Sequence, residues 1–154
     1  MSAVTEPPFI RTSDGCDFPG WINSTGTGRQ IIVPDGTLSW ISVDHRTRLQ
    51  FGVVEIVIES PFLLRTNGAD VTLDPAQREA LGPLLAIYPD TVELVRVDTD
   101  ATLRLKFQSG AEIAVRADPQ FEAWSVVGPG AKMLVCLPGD RGEIAIWSDT
   151  GATK

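Results

Sequence analysis

His45 stands beside Asp44, and a histidine next to a carboxylate is the simplest pair from which acid–base chemistry could be built. A working dyad needs the carboxylate to orient the ring and a reacting group within hydrogen-bond reach. Adjacent residues of an extended chain point to opposite sides, so Asp44 is poorly placed to orient His45. Asp98 holds the matching place in a similar later stretch and is followed by Thr99 instead. The carboxylate therefore serves a turn, and His45 reads as a surface turn residue. His45 is the only histidine, and the two cysteines, Cys16 and Cys136, lie far apart, so the ligand set of a zinc site is not on offer. Asp90, Glu93, Asp98 and Asp100 lack the loop pattern of a calcium site and read as a solvated sheet end. No glycine string has the form of a phosphate loop or a dinucleotide loop. The sequence leads us to expect no catalytic residue, no metal and no cofactor.

Two other groups of residues suit binding. Arg46, Arg48, Arg96, Arg104, Lys106 and Arg116 fall at positions that could share an outer sheet face, interleaved with Asp44, Glu55, Glu59, Asp98 and Glu112. That pattern reads as a mixed-charge solvated face, in preference to an anion-binding strip. Glu122 lies between a turn and an apolar run, where a carboxylate either pairs with an arginine or marks a site. Of the tryptophans Trp21, Trp40, Trp124 and Trp147, an exposed one would make a good anchor for a partner. The candidate binding residues are thus Glu122, Trp124, Trp147 and Trp40.

The elements that must position these residues are mostly strands. Ala123–Val127, Lys132–Leu137 and Glu143–Trp147 are short apolar runs separated by Gly128-Pro129-Gly130 and by Pro138 to Gly142, which predicts a three-stranded meander. Its middle run is apolar on both faces and belongs inside a sheet covered on two sides. Upstream, Leu38–Val43, Thr47–Phe51 and Val53–Ile58 alternate as strands, and Thr91–Val97, Thr102–Gln108 and Glu112–Arg116 do so again. Leu73–Tyr88 predicts the one helix, with Asp74 as N-cap, Pro75 at its first position and Gln77 in the capping box, interrupted at Gly82-Pro83. The expected fold class is α+β: a mostly antiparallel sheet of two meander-like halves with one short helix. Residues 1–30 read as an N-terminal loop-like arm pinned by a few apolar points, 31–148 as a single β-rich domain and 149–154 as a tail.

A weak internal repeat underlies the two halves. Val43-Asp44 and Leu49 line up with Val97-Asp98 and Leu103, and Glu55-Ile56-Val57-Ile58 lines up with Glu112-Ile113-Ala114-Val115 across a longer second hairpin. Phe62 after Pro61 echoes Phe121 after Pro119. A duplication and the ordinary likeness of any two meanders both account for this.

Composition narrows the function classes. The 154 residues suit one domain, and a hydrophobic fraction of 43% with 21% charged residues is that of a globular chain. A net charge of −7 opposes approach to a phosphate backbone, so nucleic acid is not an expected partner. No window approaches a membrane span and the first residues lack the pattern of a secretion signal, so the expected location is cytoplasmic and both cysteines are expected as free thiols, with a disulfide the lesser alternative.

Phe121-Glu122-Ala123-Trp124, Pro138-Gly139 and Ile144-Ala145-Ile146-Trp147 resemble the C-terminal motif of a bacterial family of proteins of unknown function, in which aromatic-Glu-Ala-Trp is followed by Pro-Gly-Gly and an apolar run ending in Trp. Glu59-Ser60-Pro61-Phe62 and Leu73-Asp74-Pro75 extend the likeness over roughly residues 38–147, while Asp140-Arg141 replaces the second glycine. The family supplies no catalytic residue to carry over. By analogy of size and architecture alone, it resembles the immunity proteins that neutralise toxins. The chain is therefore expected to be a non-catalytic protein-interaction protein, or else a small-molecule binder or small enzyme with a pocket between sheet, helix and N-terminal arm.

Overall fold

The computed structural model describes residues 21–147, apart from 27, 130, 131, 140 and 141. The expectations for residues 1–20, Cys16 included, and for the tail lie outside the described residues.

The strands are β1 (Ile22–Thr25), β2 (Gly28–Ile31), β3 (Trp40–Val43), β4 (Thr47–Phe51), β5 (Val54–Ile58), β6 (Phe62–Thr66), β7 (Ala69–Leu73), β8 (Val92–Asp98), β9 (Leu103–Phe107), β10 (Glu112–Val115), β11 (Trp124–Val127), β12 (Met133–Cys136) and β13 (Ile144–Trp147). They form a larger sheet in the order β1-β2-β8-β9-β10-β6-β7 and a smaller one in the order β13-β12-β11-β5-β4-β3. Every pairing between these strands is antiparallel.

Period-two alternation explains why these runs are strands and which way each faces. On β9, Leu103, Leu105 and Phe107 turn inward while Arg104 and Lys106 meet water. On β4, Thr47, Leu49 and Phe51 are buried and Arg48 and Gln50 face out. The inward residues of both sheets join one core. Phe51 and Phe107, from opposite sheets, meet there with ring centroids 6.2 Å apart. The predicted meander is present as β11-β12-β13, and β12 lies between its two neighbours with Leu134 and Val135 buried on opposite faces.

The sheet character stands, but the helical component is smaller than α+β implies, and the fold is mostly β. Between β7 and β8 there is only a single 3-10 turn, Arg78–Ala80, and the short helix α1, Gly82–Leu85. The strand β7 runs on through Leu73, and Asp74 accepts a hydrogen bond from the Ala76 N–H at 2.9 Å, closing an Asx turn instead of capping a helix. Pro83 lies in the first turn of α1 where it was expected to interrupt a helix, because a proline there forfeits no helical hydrogen bond.

Two hairpins were not anticipated. Within the span read as a loop-like arm, β1 and β2 pair and extend the larger sheet, and Trp21 beside them is buried. Its ring lies on Gly128, where an added Cβ would come within 2.9 Å of it. The hairpin β6–β7 turns through Asn67 and Gly68, both at positive φ (50° and 78°), the conformation an Asn-Gly pair adopts readily.

The strand order makes the halves interchangeable. Exchanging β3 to β7 for β8 to β12 converts β8-β9-β10-β6-β7 into β3-β4-β5-β11-β12, the order actually found in the other sheet. Each half is a three-stranded meander in one sheet followed by a hairpin in the other. The register also corrects two details of the sequence repeat. Leu49 faces Ile56 as Leu105 faces Ile113, so the counterpart of Leu49 is Leu105 and not Leu103. Leu64 faces Ile113 as Val126 faces Ile56, so the counterpart of Phe62 is Trp124 and not Phe121.

Candidate functional site

The structure separates the four candidate binding residues. Trp124 is fully buried and its Nε1–H donates to the Ala101 carbonyl at 2.9 Å, which ties β11 to the β8–β9 turn. That indole is structural and meets no partner. Trp147 is half-buried on the outermost strand of the smaller sheet. Glu122 is exposed and makes neither a hydrogen bond nor a salt bridge with another described residue, so the expected arginine pairing is not formed. Of the three tryptophans, Trp40 alone presents a largely open ring.

Around Trp40 the fold assembles an apolar patch. Trp40 and Ile41 come from β3, the edge strand of the smaller sheet, and Leu85 and Tyr88 come from the end of α1 and the turn after it. Trp40, Leu85 and Tyr88 are 52, 48 and 49% exposed, and together with Ile41 they line a shallow concavity of about 320 Å3. The helix is held by its buried Leu84, with Leu81 buried just before it, so Leu85 is left facing out. The Tyr88 hydroxyl donates to the Ser39 carbonyl at 3.0 Å, and the Leu38 N–H donates to the Asp90 carbonyl at 2.9 Å. These bonds fix the helical connection against the start of β3. The edge strand β3 carries no charge, and the exposed rings of Trp40 and Tyr88 stand at its start.

The charged groups serve turns and strand pairs. Asp44 accepts from the Arg46 N–H at 2.7 Å and from Arg48 Nη1 at 3.0 Å, and the Arg46 bond first of all holds its carboxyl below the usual carboxylate range. His45 is exposed, with Nδ1 3.7 Å from Asp44 Oδ1, as a surface turn residue would be. Asp100 is likewise lowered by its bonds to Thr102. The arginines expected on one face fall on two: Arg48 belongs to the smaller sheet, and Arg96, Arg104 and Lys106 to the larger. Cys136 is a free buried thiol, and burial pushes its pKa up to about 11.

A second concavity, of about 490 Å3, lies between α1 and the turns of the larger sheet, with Pro83, Ile87, Asn67, Asp90 and Ser109 in its wall. Asp90 there accepts from the Ser109 hydroxyl and from the Thr91 N–H, so both its oxygens are engaged. Among the described residues no cluster of three or more His, Cys, Asp or Glu is arranged to hold a metal ion, and no helix is long and apolar enough to cross a membrane.

Sequence reasoning singles out Trp40 but misses Leu85 and Tyr88. Both fall inside the expected helix Leu73–Tyr88, whereas α1 ends at Leu85, with Leu84 buried and Leu85 exposed.

Residues 33–148 match the model of a family described as "Family of unknown function (DUF6188)". No curated protein and no solved structure matches the chain.

Proposed function

We propose a non-catalytic protein-interaction function for this chain, which belongs to the DUF6188 family. The observation that carries it is the joint exposure of Trp40, Leu85 and Tyr88 at an edge strand. Large rings held rigidly at a surface give up little side-chain entropy on binding, which is why tryptophan and tyrosine dominate interface hot spots. The partner is a protein that lays an apolar side chain between Trp40 and Tyr88, in the cytoplasm of a bacterial cell. A toxin in that place would make the role that of an immunity protein.

The test is a photo-crosslinking amino acid in place of Leu85, with partner capture in the native host by wild type and by Trp40→Ala. One stoichiometric crosslinked protein, lost in Trp40→Ala, is the expected result. Equal capture by both proteins would overturn the assignment. A small-molecule function draws on the concavity beside α1, and a ligand-induced rise in melting temperature abolished by Ile87→Trp would favour it.

A further inference from the structure

On the outer face of the larger sheet two shallow concavities, of about 380 and 360 Å3, share Leu63, Arg104 and Ala114 and so form one groove. Its floor is apolar, made by Leu63, Leu94 and Ala114. Its walls carry Arg65, Arg96, Arg104, Lys106 and Arg116. Asp98, Asp100 and Glu112 also line it, with Asp70 beside Arg65, which leaves the groove net positive in a chain whose net charge is −7.

The arginines are set in place before any ligand arrives. Asp98 accepts Arg96 Nε at 2.9 Å on one oxygen and Arg104 Nε at 2.6 Å on the other. Both guanidinium groups are thus held by Nε, and the terminal nitrogens of each remain for another acceptor. Arg65 is braced by two bonds to Asp70, at 2.7 and 3.2 Å. Lys106 and Arg116 make no salt bridge among the described residues.

We infer that this groove docks an acidic, partly apolar segment of another polypeptide in extended form. Charge complementarity selects the occupant. The interleaved Asp98 and Glu112 would repel a continuous phosphate backbone, while carboxylates spaced along a peptide can meet Arg96, Arg104 and Lys106 and avoid them. The groove crosses β8, β9, β10 and β6, a span of roughly 14 Å, which is the length of about four extended residues. Alternate side chains of such a segment would enter the apolar floor and the cationic wall in turn. The groove lies on the outer face of the larger sheet and the Trp40 patch on an edge of the smaller, so this inference stands whether or not that patch binds anything.

The test is fluorescence anisotropy with a fluorescein-labelled peptide of alternating Glu and Leu, titrated with the whole chain at low and at high salt. The expected results are saturable binding that weakens with salt, a loss of about tenfold or more in Arg104→Glu/Lys106→Glu, and no change in Arg78→Glu, an exposed position away from the groove. Asp98→Asn separates a built clamp from simple charge: removing a negative charge would strengthen bulk attraction, but the amide keeps one acceptor oxygen where the carboxylate has two, so it frees one of the two arginines and is expected to weaken binding several-fold. Circular dichroism establishes that each variant is folded. Equal loss in Arg78→Glu, or tighter binding in Asp98→Asn, would overturn the groove. Complete displacement by inorganic phosphate at the peptide's own concentration would mean a small-anion site and overturn the peptide occupant.

Discussion

Arg104 and Arg48 hold equivalent positions in the two halves, outward on the middle strand of a meander and hydrogen-bonded to a turn aspartate, Asp98 or Asp44. Their surroundings differ. Beside Arg104 stand Lys106, Arg96 and Arg65, open to water or nearly so; the corresponding places around Arg48 are Gln50, Ser42 and Val127. Val57, Ser125 and Val135, which point outward from the smaller sheet, are buried, whereas Ala114, Leu63 and Thr72 at their counterparts are not. Inward positions answer to the shape of a shared core and are alike in the two halves. Each turn supplies an arginine partner, Asp44 or Asp98, while the turn N–H is satisfied by Asp44 itself in one half and by Asp100 in the other. Outward positions answer to neither demand, and there one face is cationic and open while the other is partly buried and carries fewer charges.

The core side of this comparison carries the largest expected effect. Phe51→Ala and Phe107→Ala should each cost about 3–5 kcal/mol in urea denaturation, because each leaves the same hole beside the other ring. A cost below about 1 kcal/mol for one of them would break the equivalence of the halves.

The outer faces should then separate sharply. Val135→Asp places an unpaired carboxylate where the native side chain is buried, and should cost about 2–4 kcal/mol. Its counterpart Thr72→Asp, on an exposed strand, should stay within about 0.5 kcal/mol. Similar losses from both would erase the distinction between the faces.

Cys136 sharpens the comparison through pH. It sits where the other half has Leu73. Its folded pKa is raised, so its contribution to stability is complete below the ordinary thiol pKa and is lost as pH rises toward about 11. Cys136→Val should flatten that alkaline fall, by on the order of 1–2 kcal/mol. In a Cys16→Ser background the thiol should react with iodoacetamide only on unfolding, and native-state alkylation at the rate of a free thiol would contradict its burial.

The smallest effects belong to the turns. Arg48→Ala and Arg104→Ala remove half-exposed pairs and should each cost less than about 1 kcal/mol. Asp44 and Asp70 have lowered pKa values, so what they contribute is present above the ordinary carboxylate range and disappears as pH falls through their depressed values. Arg65→Ala should move the acid limb of the stability profile by returning Asp70 toward its ordinary pKa, as acid titration monitored by circular dichroism would show.

Local pattern carries most of the strands, because alternation at Leu103–Phe107 or Thr47–Phe51 reflects which side of a strand meets water. Pattern carries less where two structures share a signature. Asp74-Pro75 suits a helix start and an Asx turn equally, and only the residues downstream of Pro75 decide between them. Gly26 and Gly28 read as loop punctuation although they lie where β1 turns into β2, whereas Asn67-Gly68 is a hairpin signal that local sequence does carry. Trp40 and Arg48 show a deeper limit. Their strands are correctly drawn from sequence, but exposure depends on which strand lies at an edge and which sheet receives each meander, and strand order is not written in local alternation.

The strand exchange between the halves also has a consequence for synthesis. The pairs β5–β11 and β6–β10 each join one half to the other, so when the first half leaves the ribosome both its last meander strand and its hairpin lack the neighbour that later completes them. Neither sheet can close until the second half arrives. The two sheets should therefore form together late in chain growth, with β5 and β6 the edges most open to wrong pairing before then.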